Sequence, residues 1–369
     1  MVIINVVILA VPLVSNTMNT LFGEERRVLV SGDPSDAQHY KTDEGINTKA
    51  DALAYANSVN EKICEEGFVL LKNENQTLPL SADAKVSVYG MNSVNLVYGG
   101  SGSAAKDGSD GVDLFKSLDN AGISYNGELK KFYEGQQSAG KGRPRSPDMG
   151  DVPTGFATGE LPQSAYPSGS AAASAGSYTD AALVVISRIG GEGYDLPVTS
   201  VKTDGRSDET QHYLELDDNE KALLEEVTAK FDKVIVILNS SNVMELGDNI
   251  VSNDKVQSVI WAPGAGQNGF SALGQILNGE VNPSGRTTDT FMADFTKDPA
   301  YQNFANNNIG YYADGTAGNQ YLTEDGMVFE TNFSDYLGIE SVEYEEGIYL
   351  GYKYYETRGY TDGEDWYNQ

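Results

Sequence analysis

Four brief runs of aliphatic and β-branched residues set the rhythm of the chain: Lys85-Val-Ser-Val-Tyr89, Ala182-Leu-Val-Val-Ile186, Lys233-Val-Ile-Val-Ile-Leu238 and Val256-Gln-Ser-Val-Ile-Trp261. Each is short, nearly continuous in apolar character and bounded by polar positions, which predicts strands buried on both faces. A further extended run, Phe68-Val-Leu-Leu71, is followed by the polar turn Lys72 to Gln76. Between and after these runs the period changes to that of helices. From Thr48 to Glu66 a stripe at Leu53, Ala56, Val59 and Ile63 is closed by Gly67. Leu114, Phe115 and Leu118 share one face. Asp217 and Glu220 make a capping box ahead of Leu223, Leu224 and Val227, and Phe270, Leu273 and Leu277 mark another helix. Strands alternating with helices predict a mostly parallel sheet covered on both faces. Ligands of such sheets sit beyond the carboxyl ends of the strands, so the loops after Tyr89, Ile186, Leu238 and Trp261 are the first places to look.

Three stretches depart from this rhythm. Met1 to Val14 is apolar except for Asn5 and Pro12. It is shorter than the roughly 20 residues a spanning helix needs and lacks the basic start of a signal peptide. A membrane-anchor stub and a helix that packs on another domain both fit it, so cytoplasmic and membrane-attached locations stay open. Residues 136–177 are rich in Ser, Gly, Ala and Pro and read as a long surface excursion. From Asp298 onward the chain is rich in Asn, Gly and Tyr; clustered tyrosines stack on sugars or form rigid packing surface.

Composition narrows the partners. With 54 acidic and 25 basic residues the formal charge is −29, which repels phosphate backbones and excludes nucleic acid as the main partner. Cys64 is the single cysteine and His39 and His212 the two histidines, none with metal-ligand spacing, so no metal centre is expected. Cys64 falls within a helical pattern and reads as a small core residue.

Three glycine-rich segments stand out, two directly after predicted strands and one after Val97-Tyr98. Gly264-Ala-Gly266-Gln-Asn-Gly269 matches the spacing of a dinucleotide fingerprint, yet it follows the last strand of the series and has Pro263 before it. A tight strand-to-helix connection fits as well. Gly99-Gly-Ser-Gly-Ser103 allows close backbone approach to a ligand but carries no lysine for a phosphate. In Ser187-Arg-Ile-Gly-Gly-Glu-Gly-Tyr-Asp-Leu-Pro197, Glu192 stands between Gly191 and Gly193 just past a strand. A carboxyl projected there can be desolvated and made a general acid; a solvated loop glutamate is the alternative.

These segments, in order, resemble glycoside hydrolase family 3. The resemblance is carried by Glu66-Gly-Phe-Val-Leu-Leu-Lys-Asn-Glu-Asn-Gln-Thr-Leu-Pro-Leu80, the Gly-Gly-Ser-Gly-Ser loop, Ser-Arg-x-x-Gly-Glu-Gly-x-Asp and Lys233-Val-Ile-Val-Ile-Leu-Asn239. Trp261-Ala-Pro-Gly, Leu277-Asn-Gly-Glu-Val-Asn-Pro-Ser-Gly-Arg286 and Tyr344-Glu-Glu-Gly-Ile-Tyr-Leu-Gly-Tyr352 complete it, over about residues 48 to 360. It implies the second domain of a retaining β-glycosidase, with β-glucosidase preferred over β-xylosidase. In that family a (β/α)8 barrel supplies an aspartate nucleophile, and in the β-glucosidases a sandwich glutamate is the acid/base, the two carboxyls about 5–5.5 Å apart.

Carried over, Glu192 is the expected acid/base. Arg188, Tyr194 and Asp195 are expected to orient it or contact sugar, and Ser101, Gly102 and Ser103 to line the entrance. No cofactor or metal is implied, and the expected partners are a β-glucoside or oligosaccharide and the barrel, with a homo-oligomer left open. The expected fold is α/β: a mostly parallel six-stranded α/β sandwich with helices on both faces, plus an irregular Tyr-rich C-terminal extension. The parts are an apolar arm and linker over 1–47, the sandwich over 48–297 and the extension over 298–369. A barrel and a fibronectin-like domain are expected outside this chain, in the permuted order that puts the sandwich first. Leu196-Pro197 departs from the arginine common after the motif's aspartate, and Asn332-Phe-Ser-Asp-Tyr-Leu-Gly338 only imitates a nucleophile strand. Two other functions remain at this point: a stand-alone sugar-binding module, and a nucleotide-binding enzyme using Gly264 to Gly269.

Overall fold

The computed structural model describes residues 45–46, 48–100, 105–106, 108, 110–144, 156–191, 196–197, 199–203, 207–303 and 346–362. The chain divides into a short unit, Met1–Leu53, and a main unit, Ala54–Gln369. The main unit is built on one sheet whose strands are β1 (Val69–Asn73), β2 (Lys85–Tyr89), β3 (Ser124–Tyr125), β4 (Ala181–Arg188), β7 (Val234–Ser240) and β8 (Val256–Trp261). Their spatial order is β1-β8-β7-β4-β2-β3. All neighbours run parallel except β1, which pairs antiparallel with β8. This is the mostly parallel six-stranded sheet expected. The four central strands begin and end within two residues of their predicted limits, because only apolar β-branched runs survive burial on both faces. The edge strand β3 and a small antiparallel pair, β5 (Thr199–Val201) with β6 (Ser207–His212), carry no such run and were not anticipated.

Alternation along β4 shows how the two cores are made. Leu183 and Val185 face a core shared with α2 (Leu114–Asn120) and α5 (Ser271–Asn278). Ala182, Val184 and Ile186 face the opposite core, shared with α3 (Gly127–Ser138) and α4 (Asp218–Lys230). Side chains of a strand alternate in direction, so each face buries its own set, and a fully buried Leu or Val contributes about 1.5–3 kcal/mol. Helix α2 starts at Asp113, whose side chain accepts from Lys116 N–H. Helix α4 starts with the predicted capping box: Glu220 N–H donates to the Asp217 carboxylate, and Asp217 N–H donates to Glu220.

Two expectations change. Helix α1 (Lys49–Gly67) forms as predicted, but Leu53 and Ile63 of its stripe are 53% and 63% exposed. The helix docks through the neighbouring row instead, burying Cys64 and placing Asn60 against residues 265–268. Within the Ser/Gly/Pro-rich segment, Phe156, Leu161, Tyr166, Ala171 and Ala175 are buried. That stretch covers the core rather than leaving it; small residues mark close packing here as readily as solvent. The apolar start, Met1 to Val14, lies outside the described residues. Among the described residues no helix is long and apolar enough to cross a membrane.

Candidate active site

The sheet has one switch point. From β2 the chain passes over α2 to β3 on one side; from β4 it passes over α4, on the other face, to β7 on the other side. Adjacent strands whose connections diverge leave a crevice at their carboxyl ends, the preferred ligand position of open α/β sheets. The loops that leave there are the two glycine-rich segments singled out in the sequence, after β2 and after β4.

The described ends of these loops touch. A Cβ on Gly100 would lie 2.6 Å from Gly190 O and 3.0 Å from Gly191 Cα, so the crossing requires glycine. Leu196, where the described chain resumes, is also beside Gly190. Beneath the crossing sits a third small core of Val97, Phe156, Ile189, Val201, Tyr213, Leu214 and Phe295. The side chain of Asn239, from β7, is bonded to residues of three strand exits: Val97 after β2, Ser187 on β4 and Ala262 after β8.

Arg188 ends β4 four residues before Glu192. Its guanidinium is buried and all five N–H groups have acceptors within the domain. Nη1 and Nη2 donate to Glu220 Oε1 and Oε2 at 2.8 and 2.7 Å; Nε donates to Tyr213 O at 2.6 Å, Nη1 to Ser187 O, and Nη2 to Glu215 O. Burial works against its charge, but the Glu220 carboxylate outweighs it and holds the guanidinium protonated. Such a group has no donor left for sugar, so the expected sugar contact from Arg188 does not fit its surroundings. Its role is to fix the strand end. Tyr213 adds a second restraint there: its hydroxyl accepts from Ile189 N–H and donates to Ile189 O, both at 3.0 Å. Burial pushes the Tyr213 hydroxyl up to about 12, against the pull of Arg188, so it keeps the proton it donates.

Glu192, Tyr194, Asp195, Ser101, Gly102 and Ser103 lie outside the described residues; the structure places Gly99–Gly100 and Gly190–Gly191, the residues that lead into them. Asn239, Tyr213 and Glu220 were not singled out for this site by the sequence. Asn239 had a signal, a polar residue closing an apolar strand. The other two act through long-range contacts that no local spacing shows.

The dinucleotide-like loop has a different occupant. Asn60 of α1 donates to Ala265 O at 2.9 Å and accepts from Asn268 N–H at 2.9 Å. Gly266 has φ +63°, and a Cβ on Gly269 would collide with Cys64 Sγ and Ala265 O. The glycines serve helix-to-loop packing, and the N–H groups of Gly266 and Asn268 are bonded to Tyr98 O and Asn60 rather than turned to a pyrophosphate. In the C-terminal extension, α6 (Tyr352–Asp362) lies beside a cavity of about 550 Å³ lined by Phe291, Met292, Lys297, Tyr352, Tyr354 and Arg358, among others. Tyr355 donates from its hydroxyl to Asp298, a packing contact, while Tyr352 and Tyr360 are exposed.

A sheet of this order, with two glycine loops crossed at its switch point, defines an α/β domain built to present loop residues at its carboxyl edge. Residues 68–352 match the Glycosyl hydrolase family 3 C-terminal domain. Beta-glucosidase A of Butyrivibrio fibrisolvens is 29% identical over 314 residues, covering 80% of this chain and 32% of that protein. A beta-glucosidase of Ruminococcus albus is 29% identical over 267 residues, covering 70% and 25%. The structure of beta-glucosidase 3B from Thermotoga neapolitana in complex with glucose superposes with a TM-score of 0.58 at 27% identity, covering 83% of this chain and 37% of that one. The chain thus belongs to glycoside hydrolase family 3 and carries its C-terminal domain. It spans about a quarter to a third of the length of these two curated relatives.

Proposed function

We propose that this chain supplies the acid/base half of a retaining β-glucosidase, with Glu192 as the acid/base and a terminal β-linked glucoside or oligosaccharide as substrate. The nucleophile is an aspartate of a (β/α)8 barrel, and turnover needs both carboxyls. In the first step Glu192 gives its proton to the glycosidic oxygen as the bond to C1 breaks and the aspartate bonds C1. In the second, the Glu192 carboxylate takes a proton from water, whose oxygen attacks C1 and frees the aspartate. Ser101, Gly102, Ser103, Tyr194 and Asp195 line the sugar, and Arg188 acts by holding the strand end. The observation that supports this reading best is the crossing of Gly100 with Gly190 and Gly191 at the switch point of a family 3 sandwich, which brings together the residues that lead into both candidate segments.

The test is Glu192→Gln in the complete enzyme. General-acid assistance is worth about 10²–10⁴-fold and matters most for poor leaving groups. Cellobiose cleavage should collapse, while a dinitrophenyl glucoside still forms glycosyl-enzyme and added azide releases β-glucosyl azide. Equal slowing of both substrates without azide rescue, in a folded variant, would end the assignment.

A further inference from the structure

Strand β7 is apolar from Val234 to Leu238 and then places an amide, Asn239, in full burial. A primary amide offers two donor hydrogens and an oxygen with two lone pairs. Here all four are used. Oδ1 accepts from Val97 N–H at 2.6 Å and from Ser187 Oγ at 3.1 Å, and Nδ2 donates to Val97 O at 3.1 Å and Ala262 O at 3.0 Å.

These contacts form a closed circuit with the glycine crossing. Val97 is clamped by both its N–H and its C=O, and three residues later Gly100 rests on Gly190 and Gly191. Three residues before Gly190, Ser187 returns the circuit to Asn239, whose Cα it faces across the β4–β7 ladder. Between the end of β2 and Gly100 no ladder holds the chain in place. The Asn239 amide thus adds hydrogen bonds between the β2 exit and β4 to the packing of Val97 against Ile189 and the close approach of Gly90 to Val185 O.

We infer that Asn239 is a positioning residue: it holds Gly99–Gly100 and Gly190–Gly191, from which the Ser101–Ser103 and Glu192 segments start, in one register, and so sets where the proton donor stands relative to the sugar. The inference rests on the acid/base reading of Glu192. Asn239 does not touch substrate; its effect travels through Val97 and Ser187. A displacement of about 1 Å at a reacting group is enough to cost on the order of 10²-fold in rate.

The experiment uses the complete enzyme with two substitutions. Asn239→Leu keeps the volume and removes all four bonds; Ser187→Ala removes only the bond to β4 and is the milder change. If Asn239 sets the proton donor, Asn239→Leu lowers kcat/KM for cellobiose by about 10²-fold and leaves glycosylation by a dinitrophenyl glucoside within about threefold of the parent. Ser187→Ala shifts the same ratio in the same direction by several-fold. A purely structural amide would slow both substrates alike or neither, and that outcome, with Glu192→Gln still selective for the poor leaving group, overturns the inference and leaves the acid/base reading standing. Where Asn239→Leu does not fold, an unchanged substrate ratio in Ser187→Ala overturns it. If Glu192→Gln itself shows no dependence on leaving group, the acid/base reading falls and this inference falls with it.

Discussion

Replacing Arg188 with methionine keeps most of the side chain's length and takes away a charge that four protein groups depend on. The Glu220 carboxylate, itself buried, loses both bonds of its bidentate partner, and the carbonyls of Tyr213, Ser187 and Glu215 lose their donors. Stranding one member of a buried pair costs about 3–5 kcal/mol, because the remaining charge is neither solvated nor matched. At about 2–4 °C per kcal/mol for a domain of this class, the midpoint should fall on the order of 10 °C. The loss has a pH signature. Burial already holds the Glu220 carboxyl above its ordinary value against the pull of Arg188; without Arg188, burial and the nearby Asp217 charge raise it further, opposed only by the Asp217 N–H. The folded chain then binds the extra proton, so stability of Arg188→Met declines as pH rises past the ordinary carboxylate range. Adding Glu220→Leu removes the orphaned charge and should recover part of the loss and flatten the pH slope. Thermal and urea unfolding of the parent and the two variants between pH 4 and 8 measure this, with the midpoints read by circular dichroism. A loss under about 1 kcal/mol for Arg188→Met, or no recovery in the double variant, would refute the claim that this pair anchors the end of β4.

Two further outcomes are expected. Glu160 is buried and accepts from Met91 N–H, Leu161 N–H and the Tyr166 hydroxyl; burial, only partly offset by the two backbone donors, pushes its carboxyl up to about 8 from 4.5. The folded chain therefore keeps a proton that the unfolded chain releases, so stability falls as pH rises from about 4.5 through 8, and Glu160→Gln should remove that slope in chemical denaturation; a slope unchanged in the variant contradicts it. Gly269→Ala drives a methyl into Cys64 Sγ and Ala265 O and should destabilise by about 1–3 kcal/mol, with Cys64→Ala relieving only part since the carbonyl remains; an unaltered unfolding midpoint for Gly269→Ala would show that the loop and α1 give way freely.

The central sheet was legible because burial on both faces leaves its strands almost no freedom of composition; Val234 to Leu238 could hardly be anything else. The α4 start was legible for a local reason, since a capping box closes within four residues. What failed was long-range. The stripe on α1 predicted the helix and not its docked side, which is decided by Asn60 and Cys64 meeting residues 265–269 some 200 positions away. Glu220 could be read as the third residue of its cap, but its second task, pairing with Arg188, depends on where β4 ends in space. Arg188 was expected, from the family resemblance, to orient Glu192 or contact sugar; its five donors are spent on the protein, which leaves none for a sugar. Glycine spacing alone left a nucleotide site open at Gly264 to Gly269, and only the neighbouring helix closes it.

The contact of Gly100 with Gly190 and Gly191 separates geometry from reach. Up to the crossing the chain is held by several independent contacts: Gly90 by Tyr133, Met91 by Glu160, Asn95 by Arg143, Val97 by Asn239 and Ile189 by Tyr213. Insertions or exchanges after Gly100 or Gly191 would therefore remodel what the crevice admits without moving the base from which the loops spring. Such an arrangement suits diversification, since variants can be tried at the tips while the hinge between the two segments stays locked by the absence of three side chains.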